Sequence, residues 1–464
     1  MAKKVLLIQP NYFYQRKSGA WGVNPPLGLA YIAAVLEQNK IPVEILDANA
    51  LNLSPQEVLS HIEKSSPDIV GMSILTPAHQ YCLDVIQNLP ANIISVAGGN
   101  QATALPDDLL KQGFKIVVSG EGEYTFLEIA QDKGWSQILG ISYLKESRVQ
   151  TNLPRPPVDV NSIPFPARHL LPSNGINLPY KSAETQYFPW TGIFTSRGCP
   201  FNCYYCFKKT FGRQVRQRSV ENVVSEIVFL KEKYGIKEID IYDDLFNFDL
   251  ARAKAILDEI IKRKLNIYIR CSNGLRVDKI NPPFLDKMKK AGCIYIAFGV
   301  ESGDQEVLDK IPKGITIEQI KAAVKMTKKA GIKTAGFFIF GLLGDTKESM
   351  RKTLDLAKEL DLDLTSFTIA TPYPGTRLWD FVKEKGEIFS TKWSDFHHSA
   401  GKMIFQHPEV PPQKEVEEFY KKAYLEFYLR PTYIVKQLLK IRSPLQAKNL
   451  FLGGIALLKT IRRK

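Results

Sequence analysis

Cys199, Cys203 and Cys206 stand in the run Ser-Arg-Gly-Cys-Pro-Phe-Asn-Cys-Tyr-Tyr-Cys-Phe that begins at Ser196, and no fourth cysteine lies near them. Three thiolates can hold a cube of four irons while leaving one iron without a protein ligand. An electron-transfer cluster is normally closed by four thiolates, so a set of three implies that a substrate or cofactor coordinates the last metal position. Two blander readings compete: a zinc knuckle short of a ligand, and three small buried thiols. Zinc takes a fourth Cys, His or carboxylate in tetrahedral geometry, and the nearest histidines, His169 and His397, are far away in sequence.

The spacing, with Tyr205 just ahead of the third cysteine, resembles the signature of the radical S-adenosylmethionine (SAM) enzymes. The resemblance implies that a [4Fe-4S] cluster on Cys199, Cys203 and Cys206 is chelated at its open iron by the amine and carboxylate of SAM, with Tyr205 packing near the adenine. It also implies reduction by an external flavodoxin- or ferredoxin-like donor, and cleavage of SAM to methionine and a 5′-deoxyadenosyl radical.

Two series of β/α units must position this loop. In the first 130 residues, β-branched runs starting at Val5, Val43, Asp68, Ile93 and Lys115 each precede a helical pattern. Such alternation predicts an α/β, doubly wound, Rossmann-like parallel sheet, which binds ligands at the carboxyl ends of its strands. The turns there carry Ser73, Leu75 and Thr76, then Gly98, Gly99 and Asn100, then Gly120-Glu121-Gly122-Glu123. They resemble the cobalamin-binding domain that precedes many radical SAM barrels. In that family the serine and the glycine pair lie along the cofactor's nucleotide tail. The chain departs from the pattern in two places. Where the better-known cobalamin folds have Asp-x-His-x-x-Gly, it reads Asp47-Ala48-Asn49-Ala50-Leu51-Asn52, and Gly-Gly-x-His-x-Thr becomes Gly98-Gly99-Asn100-Gln101-Ala102-Thr103. Any cobalamin is therefore expected without a histidine beneath it.

A proline-rich stretch around Leu153 to Trp190 reads as an extended, wrapping linker, with Phe165, Leu170, Leu171, Tyr187 and Phe188 as apolar anchors. Six further β/α units follow and predict a partial (β/α)6 barrel, whose chemistry gathers at the strand C-terminal ends. The expected division is a front domain over 1–140, a linker over 141–190, the barrel over 191–395 and a helical, basic C-terminal region over 396–464.

At the barrel mouth, Asp243 and Asp244 stand where the family keeps its SAM-amine motif, and helix capping is the competing role for them. Arg270, Ser272 and Asn273 either reach the SAM ribose or carboxylate or serve structure. Gly299-Val300-Glu301-Ser302-Gly303 resembles the family's Gly-x-Glu-Ser-Gly and implies SAM contacts from Glu301 and Ser302, with Lys313-Gly314 following as in relatives. Gly341-Leu342-Leu343-Gly344 resembles Gly-Leu-Pro-Gly, with backbone at Gly341 accepting the adenine edge, and Pro372-Tyr373-Pro374-Gly375-Thr376 matches Pro-Tyr-Pro-Gly-Thr. Phe207, Phe246, Phe298 and Tyr373 are candidate aromatic lining. Cys82, Cys271 and Cys293 read as small core residues, and His397-His398 as either pocket-facing or solvated.

Length and ordinary charged and apolar fractions exclude disorder and favour more than one domain, and six cysteines are too few for a disulfide framework. Val5–Gln9 is too short for a secretory core and no apolar run spans a bilayer, so a reducing cytoplasm is expected. The net charge of +14 concentrates in a tail from Arg430 to Lys464 that holds no Asp or Glu. Three readings compete for this tail: a helical cap closing the barrel mouth, a membrane-surface helix near a lipid substrate, and a nucleic-acid patch. The last is disfavoured because no aromatic platform accompanies the charge.

The resemblance runs from about Lys3 to Tyr428. It implies a cobalamin-dependent radical SAM C-methyltransferase acting on an unactivated carbon, with methylcobalamin as the methyl donor and a small-molecule or lipid substrate. The alternatives are a cyclase or rearranging enzyme of the same family, and a non-catalytic cobalamin- or iron–sulfur-binding protein.

Overall fold

A computed structural model describes residues 3–11, 22–177, 179–182, 184–439 and 454. Five buried, β-branched runs form a parallel sheet: β1 (Val5–Gln9), β2 (Val43–Asp47), β3 (Ile69–Ser73), β4 (Ile94–Gly98) and β5 (Ile116–Val118). The order β2-β1-β3-β4-β5 places a topological switch point between β1 and β3, so the ligand crevice opens beyond Gln9 and Ser73. The segment expected to begin the linker instead extends this sheet. β6 (Ile141–Lys145) pairs antiparallel with β5, and β7 (Arg148–Thr151) forms the edge. Its mostly exposed residues lack the apolar run that marks the inner strands.

The proline-rich stretch packs against both sheets; of its expected anchors Leu171 is buried and Tyr187 is exposed. Arg168 is fully buried, its Nη1 2.8 Å from Glu226 and its Nη2 donating to the Gly192 carbonyl at 2.8 Å. The Tyr180 hydroxyl donates to Asp47 at 2.8 Å.

Six parallel strands make the partial barrel: β8 (Trp190–Ile193), β9 (Glu238–Ile241), β10 (Tyr268–Leu275), β11 (Cys293–Glu301), β12 (Lys333–Phe340) and β13 (Leu364–Ile369), hydrogen-bonded in sequence order. β8 and β13 do not meet. The helix Gln413–Tyr428 runs along the open side, where its Tyr424 and Tyr428 hydroxyls donate to the carbonyls of Phe367 and Thr365 on β13.

The described start of the basic tail is helical, Pro431–Leu439, and belongs at the opposite end from the mouth. Tyr433 donates to the Asp363 carbonyl at 2.9 Å and Lys436 pairs with Asp361 at 2.7 Å, both just ahead of β13. A cap over the mouth is therefore not what these nine residues make. Lys440, Arg442 and the rest of the tail, Gly454 apart, fall outside the described residues. No described helix is long and apolar enough to cross a membrane.

The strand ends of the two sheets face one another. Thr210 of the cysteine loop bonds Asn100 after β4 at 2.7 Å. A Cβ on Gly375 would approach Ala104 at 3.3 Å, and the His79 and Trp393 rings lie 5.6 Å apart. The strand ends of the two domains are thus in contact.

Candidate active site

The cysteine loop leaves β8 through a two-residue ladder in which Ser196–Arg197 pairs antiparallel with Arg216–Gln217. Gly198 turns the corner at φ +93°, where a Cβ would stand 2.2 Å from the Gln214 carbonyl oxygen, so glycine is required. Tyr204 is buried and pins the loop. Its hydroxyl oxygen accepts from the Leu343 N–H at 2.9 Å, and its carbonyl accepts from the Leu378 N–H at 2.9 Å. The motif singles out Tyr205, and nothing in its spacing points to Tyr204.

Cys206 is exposed, and Cys199 and Cys203 are half-buried. Each of Cys203 and Cys206 lies in the electrostatic field of its neighbouring thiols, and Lys208 Nζ is 3.4 Å from Cys199 Sγ. Although Cys206 meets solvent, the protein packed around it pushes its thiol up to about 12, and burial raises Cys203 as well, so metal must displace their protons on binding. Among the described residues, no three His, Cys, Asp or Glu side chains converge as ligands of a single ion. Three thiolates from one loop suit a cluster with an open iron better than zinc, which takes four ligands.

The paired aspartates divide the work. Asp243 is buried and its carboxylate accepts from the Thr195 N–H at 2.5 Å, the Ser196 hydroxyl at 2.7 Å and the Thr195 hydroxyl. Its oxygens are committed to the strand end, contrary to the expectation that it meets the SAM amine. Asp244 accepts from the Gly198 N–H at 3.1 Å and is open to solvent, yet burial raises its pKa, as fits a carboxylate deep in a cleft.

Arg270 is fully buried beneath the cleft, 2.6 Å from Glu238 and 3.3 Å from Asp240. It also donates to the Ser272 hydroxyl at 3.3 Å. Of the two roles open to it, the structural one holds, and it engages Ser272. Asn273 donates to the carbonyls of Tyr242 and Asp243 at 3.1 Å each.

Glu301 ends β11 with φ +67°, a left-handed backbone unusual for a side chain of this size and often found at functional sites. Lys313 pairs with its carboxylate and donates to the Gly299 carbonyl at 2.6 Å, and the Tyr205 hydroxyl bonds it too. Cysteine loop and glutamate therefore share one network. Ser302 is turned away from the cleft: it is fully buried, 3.2 Å from the Thr353 hydroxyl and accepting from the Asp304 N–H at 3.1 Å. Gly341 sits at φ +76° past β12.

Two of the four expected lining aromatics face the other way. Phe246 and Phe298 are buried in the core between sheet and helices, whereas Tyr295, Ala297 and Ala335 make a separate cluster with Phe337 inside the barrel. Side chains alternate along β11, so choosing Phe298 takes the wrong parity. Phe207 and Tyr373 are half-buried near the mouth. There the Tyr373 hydroxyl meets His398 Nδ1 at 3.1 Å and the His398 N–H at 3.3 Å, while the His398 carbonyl accepts from Ile369 at 3.0 Å. His398 is solvent-accessible, yet burial pushes its pKa down to about 4.

Across the cleft, Gly98 leaves room: an added Cβ would meet nothing nearer than the Met72 carbonyl at 3.9 Å. Ser73 and Leu75 are half-buried and Asn100 is exposed beside it, and Gly99 turns at φ +91° against Ile74. Three other expected cofactor contacts are spent internally. Thr76 donates to Gln101 at 2.8 Å, Gly122 makes room for Ile32, and Glu121 accepts from the Val158 N–H at 3.0 Å and pairs with Arg197 and Arg216. Asp47 caps the short helix Ala48–Leu51. The front domain's two histidines are engaged, His61 with Glu44 at 2.6 Å and His79 with Gln112 at 2.8 Å. The open glycine floor fits a corrinoid.

Residues 193–357 match the radical SAM superfamily and 20–130 the B12-binding domain. An uncharacterized methyltransferase of Pyrococcus horikoshii is 36% identical over 94% of each chain. The chain belongs to the cobalamin-binding radical SAM enzymes. Its cofactors are accordingly a [4Fe-4S] cluster, SAM and cobalamin. The anaerobic magnesium-protoporphyrin IX monomethyl ester cyclase of Rubrivivax gelatinosus is 28% identical over 93% of this chain and 78% of its own. The cobalamin-dependent radical SAM enzyme OxsB, with aqua-cobalamin and SAM bound, shares the fold at TM-score 0.75 and 18% identity, over 99% of this chain and 72% of that one. Methyltransferases and cyclases both occur among its relatives, and the methyltransferase reading is the better supported, through the Pyrococcus relative above all.

Proposed function

We propose that this enzyme methylates an unactivated carbon of a small, largely apolar molecule that carries a hydrogen-bond acceptor, held in the cleft between the two sets of strand ends. The observation that supports this reading is the contact of Thr210 with Asn100 at 2.7 Å, which sets the cysteine loop against the Gly98–Asn100 turn. When bound, the cluster with SAM supplies hydrogen abstraction and the corrinoid supplies the methyl group.

The chain's own side chains bind, orient and exclude water. Asp244 offers a carboxylate to the SAM amine, and Glu301, braced by Lys313 and Tyr205, faces the same ligand. Tyr295, Ala297 and Phe337 give the barrel an apolar interior that excludes water and stray hydrogen donors. Tyr373 takes the His398 N–H on its oxygen and donates its own proton to Nδ1, which leaves Nε2–H free to recognise a carbonyl, hydroxyl or phosphate oxygen of the substrate. A flavodoxin- or ferredoxin-like reductant in the cytoplasm completes the system.

Anaerobic turnover with methyl-labelled SAM tests this. Methyl transfer adds the label to the product and consumes two SAM molecules for each one formed, one to 5′-deoxyadenosine and one to S-adenosylhomocysteine. Ring closure or rearrangement of the kind its cyclase relatives suggest leaves the product unlabelled.

A further inference from the structure

The two strands at the base of the cysteine loop each carry a buried arginine aimed at the front domain. Arg197, next but one to Cys199, places Nη1 2.6 Å from Glu121 and 2.8 Å from Glu123. Arg216, its partner across the two-residue ladder, is 2.8 Å from the other oxygen of Glu121 and donates to the Val158 carbonyl at 2.6 Å. The Arg197 guanidinium also lies 4.9 Å from the Tyr31 ring and 5.2 Å from the Phe211 ring. Side-chain exposure is 4% for Arg197, 6% for Glu121, 5% for Glu123 and 11% for Arg216. Two cations and two carboxylates thus form a neutral, nearly dry cluster.

A buried ion pair adds little net stability over a well-packed apolar substitute, and its best-attested use is to specify register. Both acids lie in the turn after β5, on the corrinoid side, and both arginines root the loop that carries the thiols. We infer that Arg197, clamped by Glu121 and Glu123, is a positioning residue that fixes the cysteine loop against the front domain and so sets the spacing between cluster and corrinoid. Lysine reproduces this only in part, because an ammonium can stand for the one nitrogen, Nη1, that meets both carboxylates but not for the flat guanidinium that lies on two rings. The inference rests on the proposed shared cleft.

The test uses the full chain reconstituted anaerobically with iron, sulfide and hydroxocobalamin, as wild type, Arg197→Met and the double variant Glu121→Gln/Glu123→Gln. Iron and corrinoid content are measured first. Dipolar broadening between cob(II)alamin and the reduced cluster then reports their separation without any substrate. We expect loading to persist in both variants while the distance shifts or spreads by about 1 Å or more, the looseness an unsupported site acquires. A fully loaded variant with the wild-type distance overturns the clamp. Should Arg197→Met fail to fold, Arg197→Lys carries the same test: a spread between wild type and the glutamine double variant is expected, and a wild-type distance overturns it. Wild-type protein that takes up iron but no corrinoid overturns the shared cleft itself, and the inference with it.

Discussion

Thr210 donates its hydroxyl to the Asn100 side-chain oxygen at 2.7 Å, so a residue just past the third cysteine touches the turn after β4. The bond is exposed and worth only about 1 kcal/mol to folding. Its consequence is geometric, because it joins two walls of one site. Asn100→Ala should therefore lower the melting temperature little and weaken corrinoid uptake clearly, as read by equilibrium dialysis against hydroxocobalamin.

Asp243 and Asp244 should separate cleanly. Asp243→Ala strands three donors at Thr195 and Ser196 in a buried strand end, at roughly 1–3 kcal/mol for each one left unpaired. Denaturant titration should show a loss of about 3 kcal/mol or more. Asp244→Asn should cost less than about 1 kcal/mol, and its effect should appear as weaker SAM binding.

Glu301→Gln keeps the shape and the strained backbone but removes the charge that meets Lys313. A lost charge-assisted hydrogen bond of about 1.5–3 kcal/mol corresponds to a dissociation constant for SAM raised about 10- to 100-fold. Calorimetry on the reconstituted protein reads it directly.

His398 supplies a pH dependence with a defined sign. Although its side chain meets solvent, the protein packed around it disfavours the cation, and its pKa falls from 6.5 in the unfolded chain to about 4. The unfolded chain takes up the proton first, so this contribution to stability is present above 6.5 and is lost as pH falls from 6.5 towards about 4. His398→Gln should flatten that part of the stability profile, and binding through the neutral ring should show no acid limb near 6.5. A ring titrating near its ordinary pKa by NMR contradicts the placement.

Much of the fold is legible from the chain because its inner strands are buried on both faces and read as β-branched runs, which is why β1 to β5 and β8 to β13 fall where the pattern puts them. The β6–β7 hairpin is not legible, since Arg148–Thr151 is mostly exposed and borders prolines. At the site, spacing places residues at strand ends but does not say which way they turn. Asp243 and Asp244 are adjacent and one is structural, Ala297 rather than Phe298 faces inward, and Glu121 answers an arginine 76 positions away. Such long-range ion pairs leave no local signature. The missing histidine at Asp47–Asn52 does leave one, and there Asp47 caps a short helix.

The most direct test of the central claim is metal and corrinoid analysis of the anaerobically reconstituted chain, with the cluster's EPR spectrum recorded before and after SAM. The account predicts about four irons held by Cys199, Cys203 and Cys206, one bound corrinoid and a spectrum that shifts on adding SAM, with the iron and the shift lost or altered in Cys206→Ala and the corrinoid retained. Zinc in place of iron, or a cluster whose spectrum ignores SAM, would contradict it.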